Sequence, residues 1–135
     1  MRSYLIDTWY LIAIADPSDS YHRQAKHLDG VVAGIPLITH DAVLTELLAY
    51  FSGAGGNSRS RAVALVLDLL ERADYRVERS SDLFPAALHL YSQRPDKEYS
   101  LVDCMSMTLM RERGITHVLT NDHHFRQEGF TVVSE

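Results

Sequence analysis

The sequence predicts an α/β domain, a three-layer αβα sandwich around a central, mainly parallel sheet, with residues 1–135 forming one unit. Two observations carry this reading. Short β-like runs alternate with longer segments of helical period along the chain, the pattern of successive βαβ units. Acidic residues stand directly after two of those runs, where ligands collect in open α/β sheets. With 46% hydrophobic and 23% charged residues, a chain of 135 residues fills one core rather than two.

Taken in order, Ser3-Tyr4-Leu5-Ile6 reads as a first strand. A helix through Trp9–Ala15 follows and stops at Asp16-Pro17, because proline cannot continue it. A second helix is predicted from Tyr21 to about Val32, ending near Gly34. Pro36–Thr39 is a short buried strand, and Ala42–Phe51 a strongly apolar helix with its main stripe at Leu44, Leu47, Leu48 and Phe51. Ser52–Ser58, rich in glycine, breaks the chain. A long helix then runs from about Ser60 to Arg72, its stripe read from Val63, Val66, Leu67 and Leu70 at i, i+3, i+4, i+7. Tyr75–Glu78 is an edge-like strand, Leu83–Tyr91 a helix and Pro95–Glu98 a loop. Ser100 opens a helix to Arg113, with Gly114 in the place glycine takes after a helix end. Thr116–Thr120 and Phe130–Val133 are the last two strands.

Bulk properties narrow the function. No apolar run approaches the ~20 residues a bilayer requires, and Asp7 interrupts the first apolar run too early for a signal peptide. The single cysteine, Cys104, excludes an intramolecular disulfide and a zinc site built on several thiolates, and it fits a reducing cytoplasm. A net charge of −5 argues against a module that binds nucleic acid by phosphate neutralisation alone. It is compatible with an enzyme whose carboxylates hold a cation.

The acids themselves carry the chemistry. Asp7 follows the first strand and is equally readable as a cap for the next helix. Asp122 follows Val118-Leu119-Thr120, at the equivalent end of a strand that can neighbour the first. Two carboxylates brought together repel unless one is protonated or a cation lies between them. Asp103 stands three residues after Ser100, the spacing of a capping box, on a helix start that points into the same cleft. Glu46 is the one charged residue between Ala42 and Phe51, on a helix apolar nearly all round. Its place opposite the main stripe by itself reads as solvent exposure. The apolar residues flanking it instead predict a helix buried on more than one side, with the glutamate either at a cleft or desolvated and the cleft favoured.

Strand-Asp7, helix-borne Glu46, Ser100-Leu101-Val102-Asp103 and Thr120-Asn121-Asp122-His123-His124-Phe125, in that order, resemble a PIN domain. The likeness covers essentially the whole chain and is strongest to the single-domain VapC-type ribonuclease toxins. The resemblance implies a flavodoxin-like sandwich and Mg²⁺- or Mn²⁺-dependent endoribonuclease activity. It implies Asp7, Glu46, Asp103 and Asp122 as the acidic site, with Thr8 and Thr120 in supporting polar positions. Asn121 stands where some relatives carry a further acid, which leaves a second metal open. A homodimer through the helices of Ala42–Arg72 and a small cognate antitoxin that blocks the cleft are implied as partners of the RNA-cleaving chain. Arg59 and Arg61, beside the glycine-rich break, are candidates for holding the RNA strand.

Other constellations are weaker. Asp122-His123-His124 matches the DHH phosphoesterase signature only in three letters, and His117, His123 and His124 lack the i, i+4 spacing of a helical zinc pair. The glycine-rich break has no Lys-Ser/Thr ending for phosphate. No nucleophile elbow, second aspartate after Asp7, or receiver-type acid pair with a late lysine is present. Cys104 reads as core. The rival from another class is a non-catalytic RNA- or protein-binding module whose acids only cap helices.

Overall fold

A computed structural model describes residues 2–133. Five parallel strands form one sheet: β1 (Tyr4–Ile6), β2 (Leu37–His40), β3 (Tyr75–Glu78), β4 (His117–Leu119) and β5 (Thr131–Val132). Their order is β3-β2-β1-β4-β5. The chain winds outward from β1 to β3, then returns across the sheet to place β4 on the other side of β1. Four helices fill the first two crossovers, α1 (Thr8–Ala15), α2 (His22–Val31), α3 (Asp41–Tyr50) and α4 (Gly56–Glu71). They bury Ile6, Leu37 and Leu119 beneath them. The opposite face, with Leu5, Ile38 and Val118, is covered by α5 (Ser80–Gln93) and α6 (Leu101–Arg113), with Phe125 of the one-turn α7 (His124–Gln127). The switch from one face to the other coincides with the reversal of strand order. It opens a crevice at the carboxyl ends of β1 and β4.

Several elements differ from the sequence expectation. Helix α4 starts at Gly56, four residues before the expected Ser60, because Gly55 takes φ +95° and turns the chain directly into the helix. Its buried side is Ala62 and Leu69 with Leu65 and Val66 packed beside them, while Val63, Leu67 and Leu70 are exposed. The segment carries two apolar stripes one residue apart, and periodicity alone favours neither. On α3, Val43, Leu44, Leu47 and Phe51 face the core, but Leu48 and Tyr50 face outward. That helix is therefore not covered on several sides within the chain. Helix α5 is longer than Leu83–Tyr91. Its start is tied to α3 by the Asp41 carboxylate, which accepts from the Ser80 N–H at 2.9 Å. Pro85 sits near its start. Helix α7 was not expected at all.

Candidate active site

Register builds the site. Pairing Leu5 with Val118 and Ile6 with Leu119 puts Asp7 beside Thr120, one residue past each strand end. The Thr120 hydroxyl donates to Asp7 Oδ2 at 2.7 Å and accepts from the Asp122 N–H at 3.0 Å, so one threonine fixes both acids. Asp7 is only 6% exposed and its carboxylate makes no capping hydrogen bond to α1. Burial raises its carboxyl to about 7; the Thr120 hydrogen bond opposes this, and the charges of Asp103 and Asp122 add to it. Asp7 thus occupies the N-cap position of α1 while its carboxylate is engaged by Thr120.

Capping and site placement coincide at Asp103 and Asp122. Ser100 and Asp103 form the expected capping box, with Ser100 Oγ accepting from the Asp103 N–H at 3.0 Å and Asp103 Oδ2 from the Ser100 N–H at 3.1 Å. The same carboxylate faces the crevice. Burial pushes it upward, the Ser100 N–H opposes this, and the charge of Asp122 adds to it. Asp122 Oδ1 accepts from the His124 N–H at 2.9 Å, bending the chain into α7. Behind α6, buried His40 at the end of β2 meets Ser106 at 2.8 Å, three residues past Asp103. This contact anchors the helix to the sheet.

Glu46 reaches the crevice from α3, where the Thr8 hydroxyl donates to its carboxylate. Partial burial raises its carboxyl, with the Thr8 bond opposing and Asp103 adding. Thr8 and Thr120 thus each donate to one of the acids, Thr8 to Glu46 and Thr120 to Asp7. Asn121 is exposed beside them. Arg59 folds back onto the Ser52 carbonyl at 2.7 Å and Arg61 onto Ser58 Oγ at 3.3 Å. Neither arginine is tied to an acid of the crevice.

His124, which the sequence offered within the Thr120–Phe125 segment but not as a member of the acidic site, is brought to it by the structure. Its Nδ1 lies 3.2 Å from Asp122 Oδ1 and 3.5 Å from Asp103 Oδ2. These three side chains offer ligand atoms all within 4.8 Å of one another. The signal available in the sequence was Asp122 two residues ahead of it, a turn-forming spacing that swings the next residues back. Among the described residues, no lysine or arginine pairs with Asp7, Glu46, Asp103 or Asp122. Carboxylates without a lysine or arginine among the described residues, set around a buried imidazole nitrogen, fit a divalent cation in donor type and in spacing.

Fold and crevice together define a doubly wound α/β protein with a carboxylate cluster at its switch point. The PIN domain family profile matches residues 4–130. The chain belongs to the PIN domain family. It is 27% identical to the 23S rRNA-specific endonuclease VapC20 of Mycobacterium tuberculosis over 129 residues, 95% of each chain. The crystal structure of that sarcin-ricin loop cleaving toxin superposes with a TM-score of 0.85 at 28% identity, covering 98% of this chain and 99% of the other. A toxin–antitoxin complex from Klebsiella pneumoniae shares the fold, with a TM-score of 0.66 at 15% identity over 96% of this chain and 95% of that one.

Proposed function

We propose that the protein is a metal-dependent endoribonuclease, the toxin of a VapBC-type toxin–antitoxin pair, hydrolysing RNA phosphodiester bonds with Mg²⁺ or Mn²⁺. The observation that carries this is the gathering of Asp7, Glu46, Asp103 and Asp122 around the carboxyl ends of β1 and β4 without a lysine or arginine partner among the described residues. A buried carboxylate in such company is costly unless a cation joins it. Family membership and the ribonuclease relatives support RNA as the substrate. The activity of VapC20 makes 23S rRNA the first substrate to test.

Asp7 and Asp122, linked through Thr120, would hold the cation from the strand ends, and Asp103 from the α6 start. Glu46, steadied by Thr8, would accept hydrogen bonds from water at the crevice mouth. A divalent cation bound there supplies Lewis-acid stabilisation of phosphoryl charge and lowers the pKa of water. The capping box and the Thr120 bridge keep the carboxylates in place before substrate arrives, which spares reorganisation during reaction.

The exposed apolar residues Leu48, Tyr50, Val63, Leu67 and Leu70 on α3 and α4 support a protein partner on that face. A homodimer would cover it, and a small cognate antitoxin would block the crevice. Among the described residues, no helix is long and apolar enough to cross a membrane, and the lone Cys104 is buried and unpaired. The functional reading is tested by incubating purified protein with ribosomal RNA in Mg²⁺ or Mn²⁺ and mapping new 5′ ends. Discrete cuts that vanish with chelator and in Asp122→Asn support it. Cuts that survive both would contradict it.

A further inference from the structure

His124 stands in the crevice on terms that the four acids do not explain. The turn made by Asp122 carries its ring back over the carboxylates, and Nδ1 is buried within ion-pair distance of both, 3.2 Å from Asp122 Oδ1 and 3.5 Å from Asp103 Oδ2, without a well-aligned hydrogen bond to either. Its neighbours fix the ring. Tyr99 packs against it with ring centroids 5.3 Å apart, and His123 at 5.2 Å. The Tyr99 hydroxyl donates to Glu128 at 3.0 Å, and Glu128 is gripped by Arg94 and Arg111. An imidazole held so firmly beside two carboxylates is preorganised.

Ligands about 2.1 Å from an octahedral cation stand about 3 Å apart when adjacent. The separations from Nδ1 to Asp122 and Asp103 are close to that edge length. We infer that His124 Nδ1 is a nitrogen ligand of the cation held by Asp103 and Asp122, and that this makes the site select Mn²⁺ over Mg²⁺. The inference rests on the reading that these acids hold a divalent cation. Mg²⁺ is bound almost wholly through oxygen and sheds water reluctantly, so a nitrogen donor adds little to its affinity. Mn²⁺ shares the preference of Mg²⁺ for carboxylate oxygen but stands, at its weak end, in the first-row series whose affinities extend to mixed N/O sites, so an imidazole adds more to its binding than to that of Mg²⁺.

The test is pulsed EPR on the full protein loaded with Mn²⁺, read for coupling to ¹⁴N, beside calorimetric titration with Mn²⁺ and with Mg²⁺. Wild-type protein should show directly coordinated ¹⁴N, replaced by ¹⁵N coupling when histidine is isotopically labelled. In His124→Gln the coupling should disappear, Mn²⁺ affinity fall by roughly 10-fold or more, and Mg²⁺ affinity change by less than about threefold. Bound Mn²⁺ without ¹⁴N coupling in the wild type, or coupling that persists in His124→Gln, would overturn the inference while leaving the acidic cation site intact. Absence of Mn²⁺ binding at millimolar concentration would overturn both. The wild-type spectrum alone decides the question if the variant fails to fold.

Discussion

Two clusters of charge lie on either side of Tyr99 and His124, and they are built to opposite rules. In the crevice, Asp7 is buried with no cationic partner and its carboxyl is pushed up to about 7. A short way off, Glu128 receives Arg94 through two nitrogens at 3.0 Å and 3.2 Å, Arg111 at 2.7 Å and the Tyr99 hydroxyl at 3.0 Å. These partners, Arg94 first, hold its carboxyl well down, to about 2, against the upward push of burial. The first cluster is short of positive charge and the second is satisfied. A satisfied carboxylate welds α5, α6 and α7 together. An unsatisfied one destabilises the chain and is retained where it does chemistry.

The comparison breaks most sharply in activity. Asp7→Asn or Asp122→Asn should lower RNA cleavage on the order of 10³-fold while circular dichroism stays native. Cleavage retained in both variants would remove the catalytic half of the contrast. Glu128→Ala should do the reverse, lowering Tm in calorimetry while leaving cleavage in place, because Arg94, Arg111 and Tyr99 lose the partner that ties α5, α6 and α7 together.

Asp7→Asn is expected to stabilise the metal-free protein. The folded-state carboxyl titrates near 7 and the unfolded one near 3.8, so the unfolded chain binds fewer protons between those values. Stability contributed by this residue therefore falls as pH rises from about 4 to about 7, and the penalty is complete above that. Denaturant melts across this window should show that slope in wild type and lose it in Asp7→Asn, with a gain of about 2 kcal/mol at pH 8. Glu128 has the opposite sign: its stabilisation is present above the unfolded value near 4.5 and is lost as pH falls toward 2. The smallest effect is expected at the break before α4. Arg61→Ala should weaken RNA binding uniformly across sequences and reduce the salt slope by about one phosphate contact.

What the sequence made legible was local. A strand followed by Asp7, a Ser-x-x-Asp helix start and the Thr120–Asp122 strand end are each visible within a few residues, and parallel pairing then brings them together. What it hid was set by packing between distant residues. Nothing local favours Ala62 and Leu69 over Val63 and Leu67 as the buried side of α4. The Glu128 clamp joins residues 17 to 34 positions apart, so no motif announces it. His124 was visible within the Thr120–Phe125 segment but not as a neighbour of Asp103, because a one-turn helix is too short for any period to show. Its place beside Asp103 depends on a turn and on Tyr99, which sequence spacing does not reveal.

The most direct measurement of the central claim, that the acidic crevice is built around a divalent cation, is a Mn²⁺ titration of thermal stability at pH 8. Wild-type protein should melt at progressively higher temperature as Mn²⁺ is added, as linkage requires of a ligand that binds the folded state. The Asp7→Asn/Asp122→Asn variant should show no such rise. A wild-type Tm unmoved by millimolar Mn²⁺, or an equal rise in the double variant, would contradict the account.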